Sequence, residues 1–100
     1  MELTLESGKV IREATENDIR SSIEREQYAI LAADAETYMQ CAQGEEPGEY
    51  VLEYQDGSLS EHCQATNGPI SLERVISAFV KYLRKGASWQ LDFKWEKMKL

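Results

Sequence analysis

The residues that could do chemistry in this 100-residue chain are one histidine, two cysteines and eighteen acids. His62 and Cys63 are adjacent, and Cys41 lies well before them. A zinc site needs about four ligands at close spacing, so this set indicates no metal. We expect His62 to be a solvent-facing or hydrogen-bonded strand residue. Both thiols are expected to be reduced and half-buried, because disulfides are rare in the reducing cytoplasm.

Paired carboxylates could act as general acid and base, and Glu49 with Glu53 is the best-placed pair because both lie on one segment beside a Gly/Pro turn. With eighteen acids, however, some are neighbours by chance. No serine or cysteine stands in an activating pattern, and no glycine-rich loop opens a helix as a phosphate-binding loop would. We therefore predict a protein that is not an enzyme, with no catalytic residue, cofactor or metal.

Charge is strongly segregated along the chain. Residues 26–73 contain no Lys or Arg but ten acids, whereas residues 74–100 contain seven basic residues and only two acids, within a net charge of −7. A surface of one sign raises the encounter rate with a partner of the opposite sign. The pattern therefore favours a partner protein with a basic surface. Nucleic acid is disfavoured, although Lys94, Lys97 and Lys99 lie near Trp95, because a sequence pI near 4.7 implies repulsion of phosphates.

The candidate partner-binding residues combine acids from this segment with two aromatic anchors. Tyrosine and tryptophan are enriched at protein–protein hot spots, although most aromatic stripes belong to a core, and the sequence leaves open whether Trp89 and Trp95 are core or exposed. The candidates are Glu45, Glu46, Glu49, Glu53, Tyr54, Asp56, Glu61 and Trp95.

One domain spanning residues 1–100 is expected, since domains commonly contain about 100–150 residues. The chain opens without the basic segment and long apolar run of a signal peptide, and no stretch approaches the roughly 20 apolar residues that span a bilayer. We expect a cytoplasmic protein without membrane contact. Its oligomeric state is left open.

Two helices are predicted. Apolar residues recur with helical spacing from Leu72 to Leu83, behind a Ser71 N-cap and ahead of Gly86, which predicts a long amphipathic helix over 72–84. Thr15 and Asp18 form a capping pattern that predicts a short helix over 16–26.

Alternation and turn residues predict the strands. Residues 3–11 predict a short hairpin or a strand ending in a turn, at an edge of the sheet. Residues 28–33 predict a central strand buried on both faces, and residues 89–95 a final strand with one aromatic face. Between them, 37–43, 50–55 and 59–66 are separated by Gly, Pro and Asp turns and predict an antiparallel meander. The predicted fold class is α+β, an antiparallel sheet of about five to six strands packed against the helix 72–84, with the second short helix 16–26.

The second half of the chain, roughly residues 50–95, resembles the Imm1-type immunity proteins of bacteria and related small uncharacterised bacterial proteins. The resemblance is carried by Tyr50-Val-Leu-Glu-Tyr, Asp56-Gly57, a strand with His62, Ile70-Ser71-Leu72-Glu73 leading into Ala78-Phe79, and a tryptophan-rich end. It implies a cytoplasmic α+β protein that neutralises a toxin, frequently a nucleic-acid-modifying enzyme, by binding it. Such proteins share no active site, so the resemblance transfers no functional residue.

The sequence therefore predicts a non-catalytic protein-binding domain. Within that class, an immunity protein that neutralises a basic, nucleic-acid-modifying toxin by occlusion agrees with the acidic segment, because an enzyme that binds phosphate is basic where it works. The alternative is a housekeeping or regulatory domain without a catalytic site, whose acidity serves solubility. A solvent-filled cleft around His62 would instead favour a small enzyme.

Overall fold

Eight strands form one antiparallel sheet in the computed structural model, which describes residues 1–66 and 68–99. The order across the sheet is β2-β1-β3-β4-β5-β6-β8, and β7 pairs with β5 beside β6. The strands are β1 (Glu2–Leu5), β2 (Val10–Ile11), β3 (Tyr28–Asp34), β4 (Thr37–Gln43), β5 (Glu49–Asp56), β6 (His62–Ala65), β7 (Ile70–Ser71) and β8 (Trp95–Lys97).

Two α-helices complete the fold, and their ends follow from local capping. In α1 (Glu16–Ser22), the Thr15 hydroxyl accepts a hydrogen bond from the Asp18 amide at 3.2 Å, and the Thr15 amide donates to the Asp18 carboxylate at 2.8 Å. The chain continues from α1 as a 3₁₀ helix, Ile23–Arg25. In α2 (Leu72–Leu83), the Ser71 hydroxyl accepts from the Arg74 amide at 3.3 Å. These contacts satisfy amides that a helix leaves unpaired at its start.

Both helices share one core with one side of the sheet, which we call the covered face. One cross-strand row of this face runs Leu3, Leu31, Met39, Tyr54 and Cys63. The first three of these side chains are completely buried, as are Val75 and Phe79 of α2 and Ile19 of α1. At about 1.5–3 kcal/mol for each large apolar side chain, this layer is the main favourable contribution to folding.

The opposite side of the sheet, the open face, has no helix over it in the described part of the chain. Its side chains form three cross-strand rows. The upper row is Tyr28, Ala42 and Val51; the middle row is Thr4, Ile30, Gln40, Glu53, Gln64 and Glu96; and the lower row is Glu2, Ala32, Tyr38, Gln55 and His62. These rows contain acids but neither Lys nor Arg.

The prediction of an α+β fold with an antiparallel sheet and two helices is confirmed, but the sheet has eight strands in the described residues rather than five to six. The strand β7, which was not predicted, is two residues long, too short to show a period. The long helix ends at Leu83, one residue early, and the short helix is α1 followed by a 3₁₀ helix rather than one helix over 16–26.

Three strand predictions need correction. The segment 89–95 is mostly a 3₁₀ helix, Ser88–Asp92, and only Trp95 joins a strand. The segment 59–66 begins as a 3₁₀ helix, Leu59–Glu61, before β6. The strand 28–33 is not buried on both faces, since the Tyr28 side of β3 faces outward on the open face.

A helical turn explains the first of these errors. Trp89 and Phe93, four residues apart, are both buried, whereas Leu91 between them is 88% exposed. Alternation in the sequence predicted that all three side chains would share one face of a strand. In a 3₁₀ helix of about three residues per turn, Leu91 is instead rotated away from Trp89, and Phe93 follows the helix in extended backbone.

Candidate protein-binding surface

The lower and middle rows of the open face are joined by a buried polar network around His62. The His62 Nε2 atom lies 2.7 Å from Glu53 Oε1, and its Nδ1 atom lies 3.0 Å from Gln55 Oε1. Gln40 Nε2 donates to the same Glu53 oxygen at 3.0 Å. His62 and Gln55 are 4% and 2% exposed, so the network replaces water as their hydrogen-bonding partner.

The orientation of the Gln55 amide fixes the protons of this network. Gln55 Nε2 donates to the Glu36 carbonyl oxygen at 3.1 Å and to a Glu36 carboxylate oxygen at 3.0 Å, so Gln55 Oε1 must be an acceptor. It accepts from the Tyr38 hydroxyl at 3.2 Å and therefore also from His62 Nδ1–H. Both ring nitrogens of His62 therefore face oxygen atoms, of Gln55 on one side and of Glu53 on the other.

This geometry bears on the two roles considered for His62. It confirms a hydrogen-bonded strand residue, although a buried one rather than a solvent-facing one. Both ring nitrogens are engaged in hydrogen bonds within the sheet. These hydrogen bonds hold polar side chains of β4, β5 and β6 in fixed positions on the open face.

A cavity of about 700 Å³ opens at the upper end of the open face, and His62 does not line it. It lies where the outer edge of β5 passes from pairing with β7, at Glu49 and Tyr50, to pairing with β6, from Glu53 onward. The β4–β5 turn, the end of β6 and the segment after β8 supply the other walls. A second, smaller cavity of about 130 Å³ shares Val51 with it and extends the depression toward Tyr28.

The structure distributes five of the six candidate acids along β5 rather than in one cluster. Glu45 and Glu46 lie in the turn before β5, and Glu49 begins the strand. Glu53 lies at mid-strand on the open face, half-buried against His62. Asp56 ends β5.

The sixth candidate acid lies next to β6, the neighbour of β5. Glu61 lies just before β6, where its carboxylate accepts from Lys97 Nζ at 3.2 Å. Carboxylates therefore stand at both ends of β5, at its centre and beside β6. Glu49 and Glu53 lie on the open-face side of β5, whereas Asp56 alternates onto the side of Tyr54.

The two candidate anchors, Tyr54 and Trp95, lie together on the covered face. Their rings meet edge to face with centroids 4.7 Å apart, and Trp89 contacts both of them. Trp95 is half-buried and its Nε1 donates to the Gln90 carbonyl oxygen at 3.1 Å, whereas Trp89 is buried. The pKa of Tyr54 is raised to about 12, mainly by burial and to a smaller extent by a hydrogen bond with the Cys63 thiol. These rings therefore lie on the covered face, whereas Glu53 lies on the open face.

Both cysteines are free, and both are buried rather than half-buried as predicted. Burial raises the pKa of the Cys41 thiol to about 12, so it stays a neutral thiol. Within residues 1–66 and 68–99, no three His, Cys, Asp or Glu side chains converge on a point that could hold a metal ion.

Sequence reasoning did not identify Glu36, Tyr38, Gln40 and Gln55 as part of the site. The signal for them was cross-strand register, because each polar residue on one side of β4 stands opposite a polar residue of β5. Gln40 faces Glu53, and Tyr38 faces Gln55. A polar pair on the less apolar side of two neighbouring strands predicts a hydrogen bond across them once the hairpin register is known.

Comparisons with known proteins add no family to this description. A scan against models of protein families and searches of curated proteins and of solved structures all found no match to the chain. In the described residues, no helix combines the length and apolar character needed to cross a membrane.

Proposed function

We propose that this chain is a non-catalytic protein-binding domain whose open face receives a basic surface of a partner protein. The observation that carries the proposal is the chemistry of that face. Its three rows include Glu2, Glu53 and Glu96 but no Lys or Arg. Glu49 lies on the same side at the start of β5, and Glu46 lies in the turn before it. A surface of this kind attracts a basic partner and repels acidic ones, including a second copy of itself.

Within this class we propose an immunity protein that occludes the phosphate-binding groove of a basic, nucleic-acid-modifying toxin. Support comes from the resemblance of residues 50–95 to Imm1-type proteins and from the carboxylates along β5. Carboxylates spread along a strand can occupy positions that the phosphates of a nucleic acid would take in such a groove. Occlusion needs no catalytic group, which agrees with a His62 ring whose two nitrogens are both engaged.

The first test is capture of partners by the tagged protein from its own lysate at low and at moderate salt, with identification by mass spectrometry. The proposal expects one stoichiometric basic protein, with a toxin-like activity that the chain inhibits, whose capture weakens as salt rises. Absence of any stoichiometric partner would contradict it and leave the housekeeping or regulatory alternative, in which the acids serve solubility.

Charge reversal then tests the acidic surface on the captured partner. We choose Glu46→Lys with Asp56→Lys, because both side chains are exposed and neither belongs to the His62 network. At low salt the double variant should associate about tenfold more slowly and with a flatter salt dependence, because long-range attraction is lost.

The matched controls are Glu24→Lys and the double variant Glu13→Lys with Glu24→Lys. Both acids are exposed, and Glu24 lies in the 3₁₀ helix after α1 rather than on β5. Equal slowing by the control and test variants would show that only net charge matters. Unchanged kinetics in the test variant would remove the β5 carboxylates from the proposal.

A further inference from the structure

The 700 Å³ cavity has the size of a ligand site but the chemistry of a site for one long cationic side chain. Its volume falls within the range of about 300–1,000 Å³ that is usual for sites that bury a small ligand. Apolar residues supply much of the lining: Val51, Ala65, Pro69, Ile70 and Met98. An occupant must therefore bring apolar atoms to this surface.

Charge defines the other half of the site. Glu45, Glu49 and Glu96 line the cavity, and in the described part of the chain none of the three carboxylates forms an ion pair. Lys97 also lines it, but its ammonium group is bound to Glu61 at 3.2 Å. Lys99 is the remaining cation. Three carboxylates against one ammonium leave the cavity attractive to a cation.

We infer that the cavity receives an arginine side chain from an extended, basic segment of the partner, an inference that rests on the proposed function. The methylene stem of arginine would cover Val51 and Ile70, and its guanidinium would reach Glu49 and Glu45 at the rim. Arginine meets both demands, because its planar fork binds carboxylates bidentately and its stem is apolar.

Two other occupants fit the same walls less well. An anion would meet three carboxylates, and a purely apolar side chain would bury them without a partner, which costs free energy. A second copy of this chain would bring an acidic open face against an acidic rim.

The test is a titration of the ¹⁵N-labelled protein with the blocked peptide acetyl-Gly-Arg-Gly-amide, followed by amide shifts. The matched probe replaces arginine with citrulline, which has nearly the same shape without the charge. We expect saturable shifts at Val51, Gln64 and Ile70 with the arginine peptide, and at least about tenfold weaker binding of the citrulline peptide, because a charge-assisted hydrogen bond is lost. Equal binding of both peptides, or shifts centred elsewhere, would overturn the inference.

Variants locate the cation within the cavity. Glu49→Gln should weaken binding of the arginine peptide by about tenfold, while Glu46→Gln, in the turn just before β5 and outside the lining, should leave binding unchanged. Equal effects of the two variants would show attraction to the turn as a whole and overturn the assignment to the cavity. Shifts at the same amides that depend on protein concentration without peptide would identify a second copy as the occupant and also overturn it.

The outcome is separable from that of the proposed function. If a basic partner is captured and its association is slowed by Glu46→Lys with Asp56→Lys but not weakened by Glu49→Gln, the protein-binding function stands and the arginine site fails. If no partner is captured, the function fails whatever the peptide does.

Discussion

The two faces of the sheet are built from the same strands and bury their residues by different means. On the covered face, Trp89 and Phe93 are 5% and 7% exposed because apolar groups surround them. On the open face, Gln55 and His62 are 2% and 4% exposed with no helix above them, and hydrogen bonds surround them instead. A low exposed fraction alone therefore does not place a residue in the hydrophobic core. What distinguishes the core is that the neighbouring groups are apolar.

This difference assigns the two faces different physical roles. Apolar burial is non-directional and supplies most of the free energy of folding. A closed hydrogen-bond network contributes less net free energy but tolerates few geometries. The covered face should therefore set how stable the protein is, and the open face should set how uniquely its β4, β5 and β6 side chains are placed.

The strongest way to test the covered face is Phe79→Ala. Phe79 is completely buried in the middle of α2, so its removal should lower the free energy of unfolding by about 3–5 kcal/mol through lost burial and an unfilled cavity. Urea denaturation measures the change. Ser77→Ala, an exposed position of the same helix, is the control and should change stability by no more than about 0.5 kcal/mol. A Phe79→Ala cost as small as that of the control would contradict the assignment of the core.

The open face should respond less strongly to Gln55→Leu. This change keeps the size of the side chain but leaves Tyr38, His62 and Glu36 without the amide they share, at a cost of about 1–3 kcal/mol. The same change at Gln64, a half-buried residue of the same face outside this network, should cost much less. If both glutamines tolerate leucine equally, the network is not needed for stability.

Nuclear magnetic resonance tests the network directly, through the exchange of the His62 ring proton with solvent in the parent protein and in Gln55→Leu. In the parent protein, the His62 Nδ1 proton, which Gln55 Oε1 accepts, should exchange slowly with solvent. In the Gln55→Leu variant, the Nδ1 proton loses its acceptor and should exchange quickly. Unchanged exchange would mean that the Gln55 amide does not hold this proton.

The smallest effect should come from the α1 capping box, which belongs to neither face. Hydrogen bonds from the Thr15 amide and hydroxyl lower the pKa of Asp18 from 3.8, so the carboxylate stabilises the fold above that pH and ceases to do so as pH falls through the lowered value. Thr15→Ala should therefore lower stability slightly at pH 7, and the difference from the parent should shrink in acid. Thr15→Ser keeps the hydroxyl and is the control. A difference that grows in acid would have the wrong sign.

The parts of the fold that follow from local pattern were predictable from the sequence. The stripe from Leu72 to Leu83 and the caps at Ser71 and Thr15 are each decided within about four residues, and both helices begin as predicted. Alternation over 37–43 and 50–55 likewise identified β4 and β5. Failures occurred where one pattern fits two structures, as in the 3₁₀ helix Ser88–Asp92, whose alternating aromatics also fit a strand.

The site was less predictable because it depends on register between strands. The acids of β5 were visible as a charge segment, but their separation to both ends of the strand and the pairing of Glu53 with His62 require knowledge of which residues stand opposite each other. Tyr54 shows the same limit, since it neighbours Glu53 in sequence and lies on the other face of the sheet. Because successive side chains of a strand point to opposite faces of the sheet, residues adjacent in sequence have different surroundings.

The edges of the sheet carry a consequence for aggregation. The strand order ends with β2, which has two residues, and with β8, which has three and is surrounded by Lys94, Lys97 and Lys99. An exposed strand edge is a template for another chain, and short, lysine-bearing edges are how natural sheets avoid that outcome. Neither end offers enough unpaired backbone to seed fibril growth, so the protein can present a wide uncovered sheet face in concentrated solution without extending that sheet from copy to copy.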